Sequence, residues 1–170
     1  LTTCYQYPGP ASVRYPRGAG KGVVSDRAPR VLPIGKGEIV SQGTRIALVG
    51  IGKMVSEFEK TAAIIQEKLG HPVTVVNARF AKPLDRDLLL DVAANHEFVF
   101  TAEDNVLPGG FGSAVNELFN EEGIARQAIR FGIPDRFVDH GSPRELFQEL
   151  AMTGEQMADR VIDHVNTRQA

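Results

Sequence analysis

The sequence predicts an α/β domain: a mostly parallel five-stranded sheet with helices on both faces, preceded by an orphan strand and a linker. Three observations carry this. Between residues 45 and 165, short β-branched and aromatic runs alternate with longer stretches whose apolar residues recur every three to four positions. Those longer stretches carry helix start and stop signals. Hydrophobic residues make up 42% of the 170 and charged residues 24%, enough to bury a core. Strands alternating with helices require right-handed crossovers, and hence a mostly parallel sheet covered on both faces.

The elements follow in order. Glu38 to Ser41 is a short strand expected at a sheet edge. Arg45 to Val49 is a strand that stops at Gly50. Met54, Val55, Phe58, Ala62, Ile65 and Leu69 fall at helical spacing, and Gly70 closes that helix. Val73 to Val76 is the next strand. Asp85 caps a helix carrying Leu88, Leu89, Val92 and Ala93. Phe98 to Thr101 is a strand, followed by a glycine-rich turn and a helix with Ala114, Val115, Leu118 and Phe119. Ala128 to Phe131 is the last strand. Two capping boxes finish the chain: Ser142 with Glu145, with Pro143 at the first helical position, and Thr153 with Gln156. Met157, Val161, Ile162 and Val165 line the apolar face of the final helix.

Ahead of this domain, Ala11 to Gly18 places Arg14 and Arg17 around a short run that ends at a proline and a glycine. A guanidinium grips phosphate or carboxylate oxygens through paired hydrogen bonds. Two readings stay open: an anion site, or a strand edge whose arginines meet surface carboxylates. The chain opens at Leu1, and too little precedes Arg14 to build a sheet around it. The expectation is therefore a fragment. Residues 1–18 are the tail of a preceding domain, 19–42 a linker and edge strand, and 43–170 a complete domain. Seven glycines and prolines between residues 18 and 37 mark the linker.

Composition narrows the function. A net charge of −2, with no basic run beyond scattered residues of 14 to 30, argues against nucleic-acid and anionic-membrane partners. No stretch approaches the roughly 18 apolar residues of a membrane span. Cys4 has no second cysteine to pair with inside the chain and fits a reducing compartment. His71, His96 and His164 lack ligand spacing with each other or with Cys4, so no metal site is expected.

Four motifs invite a chemical reading. Gly50-Ile51-Gly52 sits between a strand and a helix, but a dinucleotide loop needs a third glycine where Val55 stands; a tight turn accounts for it. Glu103 and Asp104 precede the turn Pro108 to Gly112 and read as acid–base groups or, more simply, as a cap or interface pair. Asp139-His140 has the look of a catalytic pair without a nucleophile, so His140 reads as a loop or interface residue. Arg79, Lys82 and Asp85 surround Pro83 and are expected to face a neighbouring domain or solvent.

Taken together, Ser12 to Gly18, Leu32 to Gly37, Val75 to Asp85, Glu103 to Val115 and Gly132 to Pro143 resemble the 1-deoxy-D-xylulose-5-phosphate synthase family. They occur in that family's order and spacing, over its carboxyl-terminal quarter. Ala81, and Ala151-Met152, depart from its usual Val and Gly-Leu. The resemblance implies a transketolase C-terminal-like fold, with residues 1–18 ending a pyrimidine-binding domain. It also implies a cytoplasmic, homodimeric, thiamine-diphosphate- and Mg2+-dependent transferase. Such an enzyme condenses pyruvate with D-glyceraldehyde 3-phosphate and loses CO2, giving a precursor of isoprenoids, thiamine and pyridoxal. It implies that Arg17 contacts the substrate phosphate, with Arg14 a lesser candidate. The family's Gly-Asp-Gly cofactor motif, its catalytic histidines and its pyrimidine-contacting glutamate lie outside this sequence, so no catalytic, cofactor or metal residue is assigned here. Two function classes remain: part of a synthase that is active only in the intact chain, or a stand-alone structural and dimerisation module. A nucleotide-binding regulator fails on Val55.

Overall fold

A computed structural model describes residues 1–15 and 28–168. Its elements run α1 (Thr2–Gln6), β1 (Glu38–Ser41), β2 (Ile46–Gly50), α2 (Met54–Leu69), β3 (Thr74–Asn77), α3 (Arg86–Asn95), β4 (Phe98–Val106), α4 (Phe111–Glu121), β5 (Ile129–Ile133), α5 (Pro143–Glu149) and α6 (Gly154–Thr167). The five strands form one sheet in the order β1-β3-β2-β4-β5. Only the β1–β3 pair is antiparallel, and β1 is the edge strand the sequence predicts.

The two central strands explain why helices must cover both faces. In β2, Ile46 and Leu48 point to one side, Ala47 and Val49 to the other, and all four are buried. In β4, Phe98, Phe100 and Ala102 join the first side and Val99 the second. The first core holds Met54, Phe58 and Ile65 of α2 with Met157, Val161 and Val165 of α6. Phe131 binds it together, edge-on to Phe58 and stacked on Phe100. The second core packs Leu89 and Val92 of α3 against Val115, Leu118 and Phe119 of α4.

Most buried polar side chains among the described residues are paired, the Thr101 hydroxyl being an exception. His96 is buried; Val92 O can only accept, so Nδ1 carries the proton donated to it at 2.9 Å. Nε2 then accepts from the Thr74 hydroxyl at 2.7 Å, and Thr74 Oγ1 accepts the Gly43 N–H. This histidine is a structural linker between β3, α3 and the loop before β2. The helix ends are fastened as the sequence predicts. Asp85 accepts from Leu88 N, Gly70 closes α2 in the left-handed region, and both capping boxes form.

Two features differ from expectation. Residues 11–15 have no regular structure: a strand's backbone groups need a partner strand, and among the described residues none pairs with them. The short helix α1 instead stands near the amino end, held where Thr3 Oγ1 accepts the Leu32 N–H. Arg17 lies outside the described residues.

Candidate functional site

Ligands of parallel sheets collect at the carboxyl ends of the strands, where the strand order reverses. Here that switch lies between β2 and β4. The crevice is closed. Ile51 N–H donates to Ala102 O at 3.1 Å, extending the β2–β4 pairing past the end of β2. Gly50 is required because a Cβ would lie 2.9 Å from Val55 N, and Gly52 takes a positive φ of 60°. The Gly50-Ile51-Gly52 turn is the tight turn read from the sequence, and Val55 packs into the core.

In the second half of β4, three residues before its end, Glu103 reaches the helix that follows. It is 3% exposed, and its carboxylate accepts the N–H groups of Phe111 at 2.7 Å and Gly112 at 2.9 Å. The N-cap of α4 is Gly110, which has no side chain to cap with. Glu103 thus supplies an anion from outside the helix to its positive end. A Cβ at Gly110 would stand 2.2 Å from Glu103 Oε2, which explains that glycine. Capping is the role of Glu103, while Asp104 is exposed.

Arg79, Lys82 and Asp85 divide. Lys82 is exposed. Arg79 and Asp85 are engaged within the chain by the segment entering β1. Arg79 pairs with Glu38. Asp85 accepts from Lys36 Nζ at 3.0 Å and from Gly37 N at 2.9 Å, besides capping α3. Asp87 holds Lys36 from the other side at 2.9 Å. Contacts 49 residues apart leave no local pattern, so the sequence reading missed them. The one signal was glycine. Gly35 has φ 70°, and a Cβ at Gly37 would meet Asn77 O at 2.9 Å.

Burial would raise the pKa of Asp85, but hydrogen bonds from Lys36, Gly37 N–H and Leu88 N–H, with the charge of Lys36, pull it below the ordinary value. A depressed folded pKa means the stabilisation is complete above the unfolded value of about 4 and is lost as pH falls through the folded one. Asp85→Ala is therefore expected to cost about 1–3 kcal/mol at pH 7. The gap to the wild type should narrow below about pH 4. Urea unfolding at pH 7 and pH 3 measures both. An equal loss at the two pH values would show that the carboxylate charge plays no part.

Asp139 and His140 lie in an exposed loop, and the neighbouring Ser142 hydroxyl is engaged with Glu145. Arg14 is exposed. Among the described residues no group of three or more His, Cys, Asp or Glu could hold a metal ion, and the sequence contains no Gly-Asp-Gly. The residues present do not fit a magnesium–diphosphate centre.

Residues 35–157 match the family described as Transketolase, C-terminal domain. The chain belongs to this family. Among curated relatives, the 1-deoxy-D-xylulose-5-phosphate synthase of Stenotrophomonas maltophilia is 50% identical over 155 residues, which is 89% of this chain and 23% of that protein. The synthase of Cellvibrio japonicus is 41% identical over 97% of this chain and 25% of its own length. That of Synechococcus elongatus is 42% identical over 99% and 27%. The chain spans about a quarter of the length of these relatives. Among solved structures, a split-gene transketolase in an inactive β4 tetramer superposes with a TM-score of 0.72 at 28% identity, covering 84% of this chain and 46% of that one. An H261F transketolase from Pichia stipitis superposes at 0.55 and 19% identity, over 78% of this chain and 18% of its own, sharing the transketolase C-terminal domain fold.

Proposed function

We propose that this chain is the carboxyl-terminal domain of a thiamine-diphosphate-dependent synthase. That enzyme joins pyruvate to D-glyceraldehyde 3-phosphate, releasing CO2 and forming 1-deoxy-D-xylulose 5-phosphate. The observation that carries this is identity of 41–50% to synthases of that name across 89–99% of the chain. Thiamine diphosphate, with Mg2+, supplies the carbanion chemistry in the intact cytoplasmic homodimer. This chain contributes a rigid domain and a substrate-phosphate contact. Arg17 grips the phosphate of the aldehyde, and Arg14 is the lesser candidate for that contact. Holding that remote group orients the aldehyde for attack.

A chimera tests the reading. This chain replaces the matching quarter of the Stenotrophomonas maltophilia synthase, and product is measured with pyruvate, D-glyceraldehyde 3-phosphate, thiamine diphosphate and Mg2+. The chimera is expected to form 1-deoxy-D-xylulose 5-phosphate, and the isolated chain to release no CO2 from pyruvate. A chimera that folds and dimerises yet forms no product would overturn the proposal.

A second reading, a stand-alone structural and dimerisation module, draws support from the split-gene transketolase found as an inactive β4 tetramer. It requires that the isolated chain self-associate, which sedimentation velocity reads directly.

A further inference from the structure

On the first-core face, the amino ends of α2, α5 and α6 surround an open groove of about 830 Å³. Three cations line it, Lys53, Lys60 and Arg144, with two carboxylates, Glu57 and Glu155. The carboxylates are already committed. Glu57 accepts the Gly154 N–H at 2.9 Å and the Lys60 ammonium at 2.8 Å. Glu155 is held below the usual carboxylate range by its own backbone N–H, then by Thr153 and more weakly by Lys60 and Arg144. Gln156 is spent on the Thr153 cap and on Gln148 O.

Lys53 and Arg144 are different. Among the described residues, neither has a carboxylate within ion-pair distance. Lys53 instead lies 4.2 Å above the ring of Phe147. Both also stand in first turns, Lys53 at the N-cap of α2 and Arg144 next to Pro143 in α5, where the helix field disfavours a cation. The backbone donors there are used: Ser56 N–H by Lys53 O, Glu145 N–H by Ser142, Gln156 N–H by Thr153. The two side-chain cations line one groove, placed against the local field and without a carboxylate in ion-pair contact, Glu155 acting on Arg144 only weakly through space. An incoming dianion would supply both with a direct counter-charge. An ammonium and a guanidinium fork together suit the oxygens and charge of a phosphate group.

We propose that this groove binds a phosphate-bearing small molecule through Lys53 and Arg144. The described residues that line this groove do not include Arg17.

Thermal unfolding of the whole 170-residue chain tests it, with inorganic phosphate and with glycerol phosphate as probes against sodium chloride at equal ionic strength. At ten times its dissociation constant, the bound probe raises the melting temperature by roughly 3–6 °C. A larger rise with glycerol phosphate identifies an ester as the preferred form, and an equal rise identifies free phosphate. Arg17→Ala is expected to keep the rise, and Lys53→Gln/Arg144→Gln to lose it. Amide resonances of residues 53–57 and 142–148 should shift with phosphate in the wild type, whatever the double variant does. A rise equal to that in chloride, a rise kept by the double variant, one lost in Arg17→Ala, or resonance shifts confined to other residues would each overturn the proposal.

Discussion

Glu103→Ala is expected to destabilise the domain by about 2–6 kcal/mol. The substitution strips the acceptor from two buried N–H groups, those of Phe111 and Gly112, and each unsatisfied donor costs about 1–3 kcal/mol. It also removes the negative charge at the positive end of α4, an 11-residue helix whose N-cap is a glycine. Water cannot easily take over, since the carboxylate is 3% exposed. Glu103→Gln separates the contributions. The amide oxygen can serve one N–H, while its NH2 faces the other and repels it, so an intermediate loss is expected. Gly110→Ala should fall in the same direction, because its new Cβ would press on Glu103 Oε2. Urea unfolding with an unchanged slope reads all three. A loss under 1 kcal/mol for Glu103→Ala would show that α4 does not depend on this carboxylate.

Arg17→Ala, in the chimeric synthase, is expected to raise the Michaelis constant for D-glyceraldehyde 3-phosphate about ten- to a hundred-fold, the loss of one hydrogen bond to a charged group. A phosphate dianion needs fixed cations, and a guanidinium offers two parallel donors where an ammonium offers a point charge. Arg17→Lys should therefore recover only part of the loss. The constant for pyruvate should stay near its starting value, because pyruvate carries no phosphate for Arg17 to hold. Arg14→Ala should have a smaller effect in the same direction. An equal rise for both substrates, or a fall in melting temperature without a change in either constant, would make Arg17 a structural residue.

What could be read in advance follows the range of the interactions. Caps are local, so Asp85, Ser142 and Thr153 were legible with their partners three residues away. Strands buried on both faces were legible as continuous apolar runs; β2 emerges within a residue of its expected bounds, while β4 starts as expected and runs on past Thr101 to Val106, where the polar Glu103-Asp104-Asn105 hid its continuation. Glu103 was legible as an acid–base group or, more simply, a cap or interface group, and no further, because the helix it serves begins eight residues later, past a glycine turn. The Lys36–Asp85 tether was invisible, since nothing in either neighbourhood names the other. The run around Arg14 has strand propensity, but propensity without a pairing partner does not make a strand. For the same reason α1, five residues without a side-chain cap, left no pattern to read.

The carboxylate of Glu103 has one more implication, for what this fold can become. In nucleotide-holding relatives of the doubly wound architecture, the first turn of a helix after a strand neutralises a ligand's phosphate. Here a covalently attached anion already sits on that turn, at an effective concentration that a free metabolite at cellular levels does not match. The domain is in this sense permanently self-liganded. Adding glycines or lysines around the turn would not create a cofactor site while the internal competitor remains. A lineage seeking that function would first have to give up Glu103 and survive the loss of stability that follows.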